Sequence, residues 1–241
     1  MRKATLLLLI LAACAPRTQG GEPALHRAVA AGDRARVETL LDRGASLSER
    51  DRLGRTPLHV AVSAGEEAMV RLLVEEGAPL ASKDAHGRTP FLLAVLKGNL
   101  AVARFLVEAG ADPRARDSAG ETALHYAARF GSSELLAWLI EQGLPVGLKD
   151  LDGRTPLHVA VAEENCPVAR ALLTAGADPN AQDARGRTPL HRAVSRDSEA
   201  CIRLLLTFGA DPHLPDRAGE SPLDYAARYG YKRAFWILLG K

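Results

Sequence analysis

Aromatic residues are scarce in this sequence: five Phe, four Tyr and two Trp make up 5 % of 241 residues. A core built on large rings is excluded, so aliphatic side chains and alanine must do the packing. Cysteine is scarcer, with only Cys14, Cys166 and Cys201, too few for a small disulfide-stapled fold. An excess of one charge is missing as well, with 31 basic against 29 acidic residues. Arg2 and Lys3 both precede residue 14, so a chain without residues 1–13 has 29 of each. A neutral chain lacks the surplus of positive charge that nonspecific nucleic-acid binding uses to neutralise phosphates. No apolar run reaches the roughly 20 residues that span a bilayer as a helix. No nucleophile–base pair and no phosphate-cradling glycine loop stands out. No catalytic residue, metal or cofactor is therefore expected.

What the sequence has is a period. Thr56-Pro57-Leu58-His59 returns as Thr89-Pro90-Phe91-Leu92, Thr122-Ala123-Leu124-His125, Thr155-Pro156-Leu157-His158, Thr188-Pro189-Leu190-His191 and Ser221-Pro222-Leu223-Asp224, at a constant step of 33. One step back lies Pro23-Ala24-Leu25-His26. Seven copies in register signal a solenoid, in which each unit buries its apolar face on its neighbours. Thr is a good N-cap and Pro suits the first helical position, so each copy opens a helix. The His can bond its ring to the Thr hydroxyl or to the backbone of a neighbouring unit. Asp51, Asp84, Asp117, Asp150, Asp183 and Asp216 start the units, with Gly54, Gly87, Gly120, Gly153, Gly186 and Gly219 three residues on. Gly65, Gly98, Gly131 and Gly230 end the first helix. Glu164 and Asp197 replace that glycine, which predicts less relaxed turns there. A second helix follows and stops at Gly-Ala pairs such as Gly77-Ala78 and Gly176-Ala177.

These columns resemble the ankyrin-repeat family. The resemblance implies an all-α solenoid of about seven 33-residue helix-turn-helix units with short hairpin loops, over residues 23–241, the last unit truncated. It also implies a protein-binding module, whose partners usually meet the hairpin tips and the inner face of the first helices. A monomer is expected.

Residues 1–13 stand apart: Arg2 and Lys3 precede an apolar run from Ala4 to Ala13, the pattern of a secretory signal peptide. The ending Leu11-Ala12-Ala13-Cys14 resembles a bacterial lipobox, which implies lipid on Cys14 as the first residue of the mature chain. Ordinary secretion, cut within Ala13-Cys14-Ala15, is the rival reading. Residues 14–22 then form the lipidated Cys and a linker, its eight residues after Cys14 reaching at most roughly 26–29 Å. The expected location is the bacterial envelope, facing the periplasm. Ala15, rather than Asp after the Cys, favours the outer membrane.

His26, His59, His125, His158 and His191 recur once per unit, too far apart to share a zinc ion at about 2.0–2.1 Å; their role is structural. Cys201 falls in a buried column, but Cys166 lies two residues out of register with it, so no bridge is expected. The columns before the fixed Thr carry Arg55, Arg88, Arg154 and Arg187, with Glu121 and Glu220 as exceptions. Those arginines are expected to be free of turn and packing duty and to offer a basic edge to a partner. The column before the Asp adds Arg50, Lys83, Arg116 and Lys149. On the first helices, Tyr126, Arg129 and Phe130 share a face, as do Tyr225, Arg228 and Tyr229. Both sets are candidate partner contacts. Tyr225, Tyr229, Tyr231, Phe235 and Trp236 gather in the last unit and read either as a plug on its open end or as a binding patch. The functional expectation is an envelope-tethered adaptor or scaffold, with an immunity or inhibitor protein, or an enzyme accessory subunit, as alternatives.

Overall fold

The computed structural model describes residues 22–130 and 133–240. It holds seven helical pairs: α1 (Ala24–Ala30) with α2 (Arg34–Asp42), α3 (Pro57–Ala64) with α4 (Glu67–Glu75), α5 (Pro90–Leu96) with α6 (Leu100–Glu108), and α7 (Ala123–Phe130) with α8 (Ser133–Glu141). Then come α9 (Pro156–Ala162) with α10 (Cys166–Thr174), α11 (Pro189–Ser195) with α12 (Glu199–Thr207), and α13 (Pro222–Tyr229) with α14 (Lys232–Leu238). Each first helix packs on the next first helix, and the second helices form a parallel row behind them. Helices of two turns are not stable alone, so neighbours supply the stability. The alanine column makes that approach possible: Ala61, Ala94, Ala127, Ala160, Ala193 and Ala226 are all fully buried. Leu58, Phe91, Leu124, Leu157 and Leu190 fill the space between units.

Hydrogen bonding across units centres on the histidine. In α3, the Nδ1 of His59 accepts from the Thr56 backbone N–H at 3.3 Å and lies 2.8 Å from its hydroxyl. Because Nδ1 accepts that N–H, the proton sits on Nε2, which donates to the Arg88 carbonyl 29 residues further on, at 2.9 Å. His125, His158 and His191 repeat both halves of this link, reaching the carbonyls of Arg154, Arg187 and Glu220. The expectation offered the Thr hydroxyl or the neighbouring backbone; the ring serves both. Three units depart from the pattern. Pro23 supplies neither hydroxyl nor N–H, so the buried Nδ1 of His26 has no partner. Leu92 replaces the ring, and Thr89 simply caps its amide. Asp224 stands in the ring's place in the seventh unit; it closes a capping box with Ser221 and faces solvent.

The hairpins stack in the same way. The amide of residue 85 donates to the Leu53 carbonyl, and the bond repeats at Ser118–His86, Leu151–Ala119, Ala184–Asp152 and Arg217–Arg185. A Cβ on Gly153 would fall 2.5 Å from the Ala184 nitrogen, so glycine is demanded there by the next hairpin as well as by its positive φ. Where α9 and α11 end, Glu164 (φ 56°) and Asp197 (φ 51°) take the left-handed conformation usually left to glycine, as expected. The Asp197 carboxylate accepts the Ala234 amide of the last unit at 3.3 Å.

One expectation is overturned. Cys166 at the start of α10 and Cys201 in α12 are joined by a disulfide, with Cα atoms 5.4 Å apart. Equivalent residues of parallel neighbouring helices point the same way and cannot meet. A two-residue offset turns the side chain by about 200° at 3.6 residues per turn, so Cys166 and Cys201 face each other because they are out of register. Among the described residues, no helix is long and apolar enough to cross a membrane.

Burial sets the histidines' titration. Desolvation holds His59, His125 and His191 below the usual 6.5, and takes His158 down to about 4. The unfolded chain therefore binds protons from about pH 6.5 downward while these rings stay neutral. Stability is full above that pH and falls as pH drops toward 4, by at most about 1.4 kcal/mol per pH unit for each ring that resists protonation. A second loss follows in stronger acid. Burial alone would raise Asp51, Asp84 and Asp183, but hydrogen bonds from Arg55, Arg88, Arg187 and nearby amides hold them below 3.8. Urea melts across pH should show a level midpoint above pH 6.5 and a steady fall beneath it; a midpoint unchanged down to pH 4.5 would contradict this.

Candidate protein interface

The hairpin edge is where a partner was expected, and its arginines are already occupied. Arg55, Arg88 and Arg154 each donate through Nε to the aspartate four residues earlier, at 2.7 to 2.8 Å. Those aspartates also accept backbone amides of their own turns, such as Arg55 N–H on Asp51 at 2.8 Å. The carboxylates of Asp84 and Asp150 have only 1 % of their side chains exposed. A buried carboxylate needs a cation, which is the arginine's task. This corrects the reading of Arg55, Arg88, Arg154 and Arg187 as free of turn duty. They are clamps, with guanidiniums that still reach the surface.

The second basic column is structural too. Arg50 donates to the Lys83 carbonyl, Lys83 to that of Arg116 at 2.9 Å, Arg116 to that of Lys149 at 2.8 Å, and Lys149 to that of Gln182 at 2.7 Å. Gln182 continues the ladder to Pro215. Each side chain is repeated where the previous one needs a neighbour, so the column records stacking.

Among the first-helix candidates the structure separates Tyr126 from the rest. Tyr126 is buried, with its hydroxyl donating to Asp117 at 2.7 Å. Burial first, and then that carboxylate, push its phenol well above the ordinary value of 10. Arg129 holds Glu121 through two nitrogens, and the Arg154 guanidinium of the next unit lies 3.4 Å from the same carboxylate. Arg228 likewise pairs with Glu220. The two units with Glu instead of Arg in the hairpin column are thus the two with Arg late in the first helix: the charges have changed places and still meet. Phe130 and Tyr229 remain outward, each 54 % exposed. Tyr225 is half-buried, its ring centre 5.6 Å from that of His191 in an edge-to-face arrangement and 5.2 Å from that of Tyr229. In the last unit Phe235 packs against the core while Trp236 is half exposed, so the aromatic cluster closes the end only in part.

Arg192 was not anticipated. It stands on α11 in the column of Val60, Leu93, Tyr126, Val159 and Tyr225, and its guanidinium reaches Asp183 at 3.1 Å. Arg187 competes for the same oxygen at 3.2 Å. Arg27 is the column's other arginine and is exposed in the first unit; an arginine where the intervening units place apolar or tyrosine side chains was the available signal. Cys14 lies outside the described residues.

The sequence matches the family description "Ankyrin repeats (3 copies)" over residues 25–117, 114–183 and 175–241. The ankyrin-repeat domain of Bcl-3, described as a unique member of the IkappaB protein family, superposes with a TM-score of 0.79 at 34 % identity, covering 91 % of this chain and 99 % of that one. No curated protein sequence matches the chain.

Replacing Arg154 with Ala strands the Asp150 carboxylate and should cost about 2–3 kcal/mol in urea melts. Arg228→Ala removes an exposed pair and should cost under about 1 kcal/mol. Equal losses would contradict the division between clamps and surface pairs.

Proposed function

Because the chain belongs to the ankyrin-repeat family of protein-interaction modules, we propose that it is an adaptor, tethered to the bacterial cell envelope by lipid on Cys14, that captures a partner protein on the face formed by its first helices and hairpin tips. The observation that carries the binding reading is what remains on that face once turn and stacking duties are met. Phe130 and Tyr229, at equivalent ends of α7 and α13, present exposed rings with no part in the repeat. Large aromatics of this kind are enriched at binding hot spots. The arginine clamps of the hairpins are tied down and so cost little entropy to present. Their charge sets the rate and salt sensitivity of encounter more than residence time. The reading departs from the sequence expectation at Tyr126, whose ring is committed inside the fold.

Two features support the compartment. The leader ends in Leu11-Ala12-Ala13-Cys14, and the Cys166–Cys201 disulfide belongs to an oxidising compartment. Several acyl chains on Cys14 anchor stably where one is marginal. The linker then keeps the solenoid near the membrane.

The test joins the two halves. Cys14→Ser should abolish fatty-acid labelling and release or misprocess the protein; unchanged labelling and membrane fractionation would remove the anchor from the account. Envelope partners recovered by crosslinking the wild-type chain should dissociate roughly tenfold faster from Phe130→Ala/Tyr229→Ala. Normal binding by that variant, with loss on changing Glu75 and Glu76 of the second-helix row, would place the interface on the opposite face.

A further inference from the structure

Between the hairpins of the fifth and sixth units and helix α11 lies a cavity of about 240 Å³, lined by Asp152, Arg154, Asp183, Ala184, Arg185, Arg187 and Arg192. Four guanidiniums and two carboxylates face it. Arg154 is neutralised from outside the lining by Asp150 and Glu121 and also lies near Asp152, so the imbalance is local to Asp183. Arg187 and Arg192 divide one oxygen of Asp183. Arg185 makes no ion pair among the described residues.

The crowding has altered the clamp. In three other units the arginine Nε sits on the aspartate at 2.7 to 2.8 Å. In this one Arg192 has moved in, Arg187 holds Asp183 by a terminal nitrogen instead, and its Nε is buried with no partner. A desolvated N–H without an acceptor is costly, and so is an arginine where packing elsewhere uses Val60, Leu93 or Val159. Burial, and then repulsion from Arg187, lower the pKa of Arg192. The first unit also carries an arginine in this column, Arg27, but exposed; the second to fifth units stack without one.

We propose that this cavity is an oxyanion site that receives an acidic side chain, Asp or Glu, of the captured partner. Arg192 and Arg187 are its principal donors, and planar guanidiniums suit a carboxylate with two acceptor oxygens. The position favours a side chain presented by a protein, because the cavity lies where the row of first helices meets the hairpins. The inference rests on the protein-binding reading and names the chemistry its partner must offer at one point.

The probes are a hexaglutamate peptide and inorganic phosphate, titrated by calorimetry into the wild type, Arg192→Val and Arg203→Ala. Valine is the residue this column uses in the second and fifth units, so Arg192→Val should fold and melt at least as high as the wild type. Arg203→Ala removes the same charge from an exposed pair on the second-helix row, outside the cavity. The peptide should bind the wild type, bind Arg192→Val about tenfold or more weakly, and bind Arg203→Ala within about twofold of the wild type; tenfold is the loss of about one charge-assisted hydrogen bond. No peptide binding, equal weakening by both variants, or phosphate binding as tight as the peptide would each overturn the proposal. Crosslinked partners that remain on Arg192→Val with unchanged kinetics would overturn it too, while leaving the protein-binding reading intact.

Discussion

The second, fourth, fifth and sixth units are each tied to the next by a neutral imidazole. Its Nδ1 accepts from the N-cap threonine of its own helix, and its Nε2 proton goes to a carbonyl 29 residues on, so one ring closes a turn and links two hairpins. The ring must be buried for both bonds to hold, and burial requires that it stay uncharged. Much else follows from that requirement. The alanine column lets helices come close enough for the ring to reach. The hairpin glycine lets the next turn sit within hydrogen-bonding distance. The units without the ring show what it replaces: Leu92 fills the space with hydrocarbon, and Asp224 keeps only the capping half.

The charges obey a second constraint. Four aspartates at the turns are buried or nearly so, and each accepts amides of its own hairpin, so each needs a cation. A repeat protein meets such a need once per unit, which produces rows of like charge in the sequence whose members are paired in the fold. Repetition therefore marks structural duty. Function is carried by departures from the column: Phe130 and Tyr229 turned outward, Arg192 among apolar residues, and the cysteines of α10 and α12.

Much of the fold was legible because its period is set by backbone geometry. Helix starts at Thr-Pro, glycine at left-handed turns and the strained substitutes Glu164 and Asp197 all stand where the columns place them. Less of the interface was legible. The column of Arg55, Arg88, Arg154 and Arg187 gives residue type and spacing, but the partner aspartate four residues earlier is found only when the turn brings the two together. Tyr126 and Tyr225 look alike in sequence; the first is buried with its hydroxyl on Asp117, while the second is only half-buried in the seventh unit. The cysteines show the same limit in reverse. Register was weighed along the repeat, whereas contact between parallel helices depends on rotation about their axes.

The relay of neutral rings is the claim on which the account depends, and nitrogen-15 spectra of the imidazoles test it directly. At neutral pH, His59, His125, His158 and His191 should each show one tautomer, protonated on Nε2 and unprotonated on Nδ1. His158 should hold that state as the pH falls, until it titrates near 4. Rapidly exchanging tautomers, or rings that take up a proton near pH 6.5, would show that the histidines do not link the units and that their recurrence has another cause.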